Sequence, residues 1–233
     1  MRATEIESTG FTIIPNVLDD QIVSWLLDQL ERVTYGEAVR QRGDSYFAIR
    51  NLLNAVPAIR ELASSSCIRS IVDPIVGPDA RVVRGIYFDK TPNANWKVAW
   101  HQDLSITVTQ EKDVTGFGGW SQKAGVVHVQ PPASILEQIL TVRLHLDDTD
   151  ESSGALTVIP GSHKHKRLSP ERINELKEQI PAVTWVVRGG GAMLMRPLLV
   201  HASSASTNPS HRRVIHLEYS AAELPGGLEW HGS

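Results

Sequence analysis

The sequence predicts a mainly β sandwich or barrel preceded by helices, and three observations point to this class. From Arg81 onward, apolar residues recur with a period close to two in many short segments separated by Gly and Pro, which is typical of sandwich or barrel strands. Before Arg81, apolar residues recur at helical spacing. A length of 233 residues fits one large domain of this class. We therefore expect a single domain over 1–233, with a helical N-terminal part at about 16–76 and a β core at about 81–220.

The predicted helices occupy mainly the first third of the chain. After a short strand at 11–15, Asp19 or Asp20 can cap a helix. The apolar residues of this helix, which we expect to face the core, are Ile22, Trp25, Leu26, Leu30 and Val33. A second helix is expected over 59–75, opened by Pro57 and closed near Pro74. A late helix is expected from Ser169 to Ile180.

The predicted strands follow the period-two pattern. They cover 82–88, 97–108, 126–129, 139–147, 155–159, 183–187, 192–195, 199–202 and 212–220. The last residues, 225–233, contain Pro225-Gly226-Gly227 and are expected to form a loosely packed tail.

Composition excludes several classes of function. The formal net charge is −3, so no basic field favours nucleic acid or an anionic membrane as a partner. The single cysteine, Cys67, excludes an intramolecular disulfide. The N-terminus has no apolar signal region, and no run of 18 apolar residues exists. We expect a cytoplasmic protein with a small-molecule substrate; the pattern leaves open whether it is a monomer or a homodimer.

The tripeptide His101-Gln102-Asp103 is the strongest chemical signal. In an extended strand, residues i and i+2 point to the same side, so His101 and Asp103 can bind one ion while Gln102 faces away. Two histidines and one carboxylate bind one face of an octahedral metal and leave the other face open, an arrangement suited to ferrous iron with a co-substrate and O2. His201, delivered by the apolar segment 197–200, is the candidate third ligand.

An arginine accompanies this set. Arg212 lies near the start of a β-branched strand, eleven residues after His201. A guanidinium beside a metal pocket is suited to bidentate capture of the far carboxylate of a dicarboxylate. Together, the two motifs indicate an oxygenase that uses iron(II) and 2-oxoglutarate.

From about Phe11 to Tyr219 the chain resembles the phytanoyl-CoA dioxygenase family. The motifs that carry the resemblance, in this order, are 100–104 (WHQDL), 143–148 (RLHLDD), 153–156 (SGAL), 159–163 (IPGSH) and the stretch from His201 to Arg212. The resemblance implies a double-stranded β-helix (jelly-roll, cupin-like) core with N-terminal flanking helices. It also implies a dioxygenase that uses Fe(II), 2-oxoglutarate and O2 to hydroxylate a small molecule, with release of succinate and CO2.

The resemblance assigns site residues by position. The iron ligands would be His101, Asp103 and His201, and these three would form the catalytic centre. The co-substrate contacts would be Arg212 and Ser203, with weaker positional matches at Gln102, Arg143 and Arg50. Related halogenases have a small residue in place of Asp103, so the carboxylate here favours hydroxylation or another oxidation such as desaturation.

A second His-x-Asp, His145-Leu146-Asp147, is an alternative pair of ligands. It lies in an alternating run that leads into a turn, and the resemblance assigns that run to a strand and hairpin. We therefore favour His101 and Asp103. The other histidines are interpreted as structural or solvent-facing: His128, His163, His165 and His216.

Substrate contacts are expected from the segment 113–134. Its glycines flank Phe117 and Trp120, which would let a flap close over the iron and exclude water. Basic residues are scattered along the sequence, so a coenzyme A ester is not favoured. Two rival functions stay open: a non-oxidative cupin-like metalloenzyme of the isomerase type, which would not need Arg212, and a non-catalytic β-sandwich binding module.

Overall fold

Helices and strands are largely segregated along the chain. The computed structural model describes residues 2–33, 39–42, 45–208 and 210–232. The α-helices in these ranges are α1 Arg2–Thr9, α2 Asp20–Glu31, α3 Leu52–Ala55, α4 Pro57–Ser64, α5 Ser66–Val76, α6 Ala133–Leu136 and α7 Pro170–Gln179. The strands are β1 Phe11–Ile14, β2 Val39–Arg42, β3 Ser45–Ile49, β4 Arg81–Lys90, β5 Val98–His101, β6 Ile106–Val108, β7 Gly118–Lys123, β8 Val126–Gln130, β9 Ile139–His145, β10 Leu156–Val158, β11 Val183–Thr184, β12 Ala192–Met195, β13 His201–Ser203 and β14 Arg212–Ser220.

These strands form three antiparallel sheets. The main sheet has the order β1-β12-β9-β14-β4-β3-β2, the minor sheet β11-β10-β13-β5, and the hairpin sheet β6-β8-β7. The architecture is the mainly antiparallel, cupin-like jelly roll with a few helices that the sequence predicts. None of the helices in the described ranges has the length and apolar character needed to cross a bilayer.

The two faces of the main sheet have different chemistry because side chains alternate along each strand. On β14, Ile215, Leu217 and Tyr219 belong to a buried apolar cluster that includes residues of α2, α4 and α5. The Tyr219 hydroxyl donates to the Ala63 carbonyl at 3.0 Å, which ties α4 to the sheet. The alternate residues Arg212, His216 and Glu218 are also buried, but they line a cavity on the other face. The helices therefore pack on one face of the main sheet, and polar side chains line the cavity on the other face.

Several predicted elements are confirmed. The strands at 192–195 and 212–220 begin and end where the pattern predicts. Asp19 caps α2 by accepting a hydrogen bond from the Ile22 amide at 2.7 Å.

Two predicted elements are wrong as single units. The helix expected over 59–75 is divided at Ser65, whose backbone is extended, and its second part continues past Pro74 to Val76. The strand expected over 97–108 is divided into β5 and β6. Between them the chain leaves the minor sheet and enters the hairpin sheet, and Asp103 lies in this connection.

Packing also corrects two expectations. The described part of the tail expected at 225–233, residues 225–232, is not loose: Leu228 and Trp230 are buried in a second apolar cluster, and the Trp230 indole donates to the Ala222 carbonyl at 2.9 Å. Trp25, expected in the core, is 40% exposed. Sequence periodicity also missed α1 and the strands β2, β3 and β7.

The facing of α2 gives a stability prediction. Leu26 is fully buried, whereas its neighbour Trp25 is partly exposed. Leu26→Ala should lower the free energy of unfolding by about 2–5 kcal/mol, because it removes buried methyl groups and leaves a cavity. Trp25→Ala should lower the free energy of unfolding by less, although tryptophan is the larger side chain. Chemical denaturation of both variants measures this, and a larger loss for Trp25→Ala would show that the facing of α2 is misassigned.

Candidate metal and co-substrate site

Two histidines face each other across neighbouring strands of the minor sheet. His101 ends β5 and His201 begins β13, and the two residues are directly paired in the antiparallel register. Their ring centroids lie 4.2 Å apart. Each Nδ1 lies 2.8 Å from the backbone carbonyl two residues earlier, that of Ala99 or Leu199. Since a carbonyl only accepts, Nδ1 carries the proton in each ring, and both Nε2 lone pairs remain for a metal.

Asp103 completes the group. Its amide donates to the Pro197 carbonyl at 2.9 Å, which ties the end of the His-x-Asp motif to the segment before His201. The Asp103 carboxylate oxygens lie 3.7 Å from Nε2 of His101 and 3.7 Å from Nε2 of His201. Candidate ligand atoms of the three residues all lie within 4.8 Å of one another, so a single ion can contact all three.

The electrostatics of Asp103 and His201 suit metal binding, whereas at His101 the Asp103 carboxylate outweighs burial and raises the pKa of the imidazole. Burial raises the pKa of the Asp103 carboxyl, but the nearby His201 and His101 outweigh burial and hold this pKa well below its usual range. Burial lowers the pKa of His201 to about 4. A charged carboxylate and a neutral imidazole are the protonation states that metal ligands require.

The second His-x-Asp has other partners. His145 Nδ1 lies 2.8 Å from the Thr149 hydroxyl. Asp147 accepts two hydrogen bonds from the guanidinium of Arg213, at 2.9 and 2.6 Å, and one from the Arg213 amide. Among the residues that the structure describes, His101, Asp103 and His201 are the one group of three or more potential ligands close enough to share an ion.

A cationic group lies at one end of the same cavity. Arg212 is buried and donates through Nη1 to the Gly154 carbonyl at 2.7 Å, while its Nε has no hydrogen-bond partner among the described residues. The Ser203 hydroxyl lies 3.0 Å from the same carbonyl. Gly154 has φ +73°, and a Cβ here would lie 2.5 Å from the Ser204 carbonyl oxygen, so only glycine allows this approach.

Lys90 joins this group and was missed from the sequence. It is fully buried, it pairs with Arg212 in the β4–β14 ladder, and its ammonium donates to the Ser203 hydroxyl at 2.6 Å. Burial, together with the charges of Arg212 and Arg143, lowers the pKa of Lys90 to about 7. No local pattern could reveal it, because its position depends on strand register.

The weaker co-substrate candidates differ in placement. Arg143 is buried in the cavity wall, with Nη1 3.0 Å from His216 Nδ1, and burial lowers its pKa to about 10. The amide of Gln102 bonds to backbone at both ends: Nε2 donates to the carbonyls of Lys166 and Leu198, and Oε1 accepts from the Leu168 amide. Arg50 lines the cavity. Since Ile49 pairs with Tyr87, Arg50 lies several residues along β4 from the Lys90 and Arg212 end.

The candidate flap residues also differ in placement. Phe117 and Trp120 pack against the second apolar cluster, and within the described ranges they are not part of the cavity lining. The residues of this segment that line the cavity are Lys123, His128 and Gln130. His128 and His216, expected to be structural, both belong to the lining.

Comparisons with known proteins identify a family. Residues 6–214 match the family model of phytanoyl-CoA dioxygenase (PhyH). An ectoine dioxygenase of Bordetella parapertussis is 24% identical over 250 residues, covering 93% of this chain and 73% of the relative.

Solved structures share the fold. EctD from S. alaskensis, solved with 2-oxoglutarate and 5-hydroxyectoine, superposes with a TM-score of 0.72 at 16% identity, over 94% of this chain and 74% of that chain. SnoN, an alpha-ketoglutarate-dependent epimerase from nogalamycin biosynthesis, has a TM-score of 0.69 at 19% identity, over 97% and 89% of the two chains.

The geometry predicts which side chains are required for metal binding. His101→Ala, Asp103→Ala and His201→Ala should each abolish tight binding of Fe(II), because each removes one of three ligands. His145→Ala should retain iron binding, since His145 bonds to Thr149 instead. Anaerobic titration with Fe(II) by calorimetry measures this. If iron binding is lost in His145→Ala but retained in His101→Ala, the metal ligands are those of the second His-x-Asp motif instead.

Proposed function

The chain belongs to the phytanoyl-CoA dioxygenase family of iron(II)- and 2-oxoglutarate-dependent oxygenases, and we propose that His101, Asp103 and His201 hold the iron while Arg212 anchors 2-oxoglutarate. The observation that carries this proposal is the presence of both groups in one cavity of about 570 Å³. We propose hydroxylation of a small molecule as the reaction.

In the proposed reaction, the protein binds and orients the metal and the reactants. When bound, iron with 2-oxoglutarate and O2 supplies the oxidant for a C–H bond, and succinate and CO2 are released. The two imidazoles are fixed by their own strand carbonyls, and Asp103 by the Pro197 carbonyl. The ligands are therefore held in position by backbone hydrogen bonds before any metal binds, which reduces the entropy lost on binding.

The co-substrate anchor is a group of buried donors. Arg212 is a buried cation, Lys90 is a buried amine that donates to the buried Ser203 hydroxyl, and Ser203 and Arg212 both bond to the Gly154 carbonyl. A carboxylate received here would accept a charge-assisted hydrogen bond from Arg212 and would favour the ammonium form of Lys90. Arg143 adds another buried positive charge. The Asp103 carboxylate is close enough to influence the pKa of Arg143.

We propose a supporting role for Gln102. Its amide already bonds to the backbone at residues 166, 168 and 198, so it links three segments around the metal ligands. This role places Gln102 beside the site without a direct contact to the co-substrate.

Two measurements test the proposed reaction and the proposed anchor for 2-oxoglutarate. Protein loaded with Fe(II) should convert 2-oxoglutarate to succinate in air, which a non-oxidative isomerase or a binding module would not do. Arg212→Ala should weaken 2-oxoglutarate binding by about 2–5 kcal/mol, because the carboxylate loses its buried charged partner.

Arg213→Ala is the matched control. Arg213 follows Arg212 on β14 but points to the opposite face, where it binds Asp147. Titration of 2-oxoglutarate into each variant should therefore show a large loss only for Arg212→Ala. Equal losses in both variants would contradict the proposed anchor.

Lys90 gives a pH prediction. Its pKa is about 7 without an anion, so at pH 8 the amine is mostly neutral. Binding of a carboxylate beside it favours the ammonium form and should take up a proton. The affinity for 2-oxoglutarate should therefore fall as pH rises above 7.

Calorimetry in buffers of different ionisation enthalpy measures this uptake, with Mn(II) in place of iron to prevent turnover. Lys90→Met should remove both the proton uptake and its share of the pH dependence. An unchanged uptake in Lys90→Met would assign the proton to another group.

A further inference from the structure

One oxygen of a buried carboxylate faces the main cavity without a partner. Glu218 is 3% exposed and belongs to the cavity lining. Its Oε1 lies 3.1 Å from Arg84 Nη1 and 3.2 Å from His216 Nε2. Its Oε2 makes no hydrogen bond to any residue that the structure describes, and protein atoms do not enclose it fully. This oxygen is therefore a hydrogen-bond acceptor that a molecule in the cavity can reach.

His128 is a second polar group of the same kind. It is 5% exposed and lines the cavity from β8 of the hairpin sheet. Its Nδ1 is enclosed without a hydrogen-bond partner, and its Nε2 also has none within the described ranges. Burial and nearby positive charges, chiefly that of Arg84, lower the pKa of His128 to about 4, and the charge of Glu218 acts in the opposite direction. The imidazole is therefore neutral at physiological pH and lies near Glu218.

These two groups lie away from the proposed co-substrate anchor. Arg212 and Glu218 are six residues apart on β14, a separation of about 20 Å at the rise of a β-strand. A five-carbon co-substrate held at Arg212 does not reach Glu218. His216 lies two residues before Glu218 on the same face, and its charge contributes to the low pKa of Asp103. A molecule bound at Glu218 therefore needs to extend about 7 Å along β14 to approach the proposed metal ligands.

The charges around Glu218 and His128 favour a neutral group. Arg84 already bonds to Glu218 Oε1 and to the Ser105 carbonyl at 3.0 Å, so it leaves no free cation for an anionic ligand. Glu218 Oε2 would repel an anion. The positive charges that keep the His128 imidazole neutral disfavour an ammonium group in the same way.

A hydroxyl group matches both partners. It can donate to a carboxylate oxygen, and it can donate to or accept from an imidazole nitrogen, whichever nitrogen carries the proton. An ether oxygen cannot donate to Glu218. Buried polar atoms without partners are costly, and a bound hydroxyl would remove that cost.

We propose that Glu218 and His128 form a hydroxyl subsite, and that the substrate is an uncharged small molecule with at least one hydroxyl group. This inference rests on the proposed function and deepens it by naming the substrate class. A substrate hydroxyl donates to Glu218 Oε2, and the nitrogen that is not enclosed, His128 Nε2, bonds to a hydroxyl of the same molecule. The carbon skeleton extends from this subsite toward the metal ligands.

The experiment uses the full-length protein with Fe(II), 2-oxoglutarate and O2. A panel of skeletons with one to three rings, sizes that a cavity of about 570 Å³ admits, supplies each skeleton as the alcohol, the methyl ether, the primary amine and the carboxylate. Succinate formation above the substrate-free rate is the readout. Alcohols should stimulate it at least fivefold more than their ether, amine and carboxylate counterparts.

Variants locate the subsite. Glu218→Gln should raise the KM for the stimulating alcohol at least tenfold, because the hydroxyl loses a charged acceptor, and should change the inhibition constant of the matching methyl ether less than twofold. His128→Phe keeps a ring and removes both nitrogens, and should raise the KM for the alcohol at least threefold. If Glu218→Gln does not fold, His128→Phe decides the question.

Glu223→Gln is the matched control. Glu223 also pairs with an arginine of β4, Arg81, but it is exposed and is not part of the described cavity lining. Its substitution should leave the KM for the alcohol unchanged. Titration of 2-oxoglutarate with Mn(II) into each variant shows whether the metal and co-substrate groups are intact, so that a change in KM can be assigned to the subsite.

Three results would overturn the proposal: stimulation by ethers, amines or carboxylates equal to that by alcohols, an alcohol KM that neither Glu218→Gln nor His128→Phe changes, or a panel in which no alcohol stimulates. The proposed function fails separately. In that case the unsubstituted protein with Fe(II) would release no succinate from 2-oxoglutarate under any condition.

Discussion

Buried positive charge on the inner face of the main sheet is the constraint around which the site is arranged. Lys90, Arg143 and Arg212 are all buried, and Nε of Arg143 and of Arg212 has no hydrogen-bond partner in the described parts of the chain. Removing such charges from water is costly unless an opposite charge compensates. The apolar cluster on the other face of the same strands offsets this cost, because it anchors the sheet to the helices. Stability and function are thus divided between the two faces of β14.

The sequence predicts those parts of the structure that depend on local pattern. The alternation in β14 is visible in 212–220, and the His-x-Asp motif predicts that His101 and Asp103 lie together, although β5 ends at His101. The sequence could not show where strands break. The segment 97–108 reads as one strand, yet the chain must leave the minor sheet after His101 for Asp103 to turn toward both histidines. The helix over 59–75 likewise breaks at Ser65, since a single extended residue is enough to redirect it.

Contacts set by strand register are invisible in the sequence. The basic residues are scattered along the chain, and for this reason the sequence does not favour a coenzyme A ester as the substrate. Folding brings them together: Lys90 pairs with Arg212 and Arg84 with Glu218 in one ladder, while Lys123 and His128 enter from the hairpin sheet. The aromatic residues Phe117 and Trp120 were the more obvious candidates in that segment, but the apolar cluster under the hairpin sheet accounts for both.

The proposed arrangement separates what the fold keeps constant from what selects a substrate. Of the proposed metal ligands, His101 and His201 bond to backbone carbonyls, and the proposed co-substrate anchor Arg212 bonds to the carbonyl of Gly154, where a side chain would clash. Neither can change without disturbing the sheet. The part of the cavity at Arg84, Lys123 and His128 is built from side chains on β4 and on the hairpin sheet, so substitutions there alter charge and shape while the backbone stays in place.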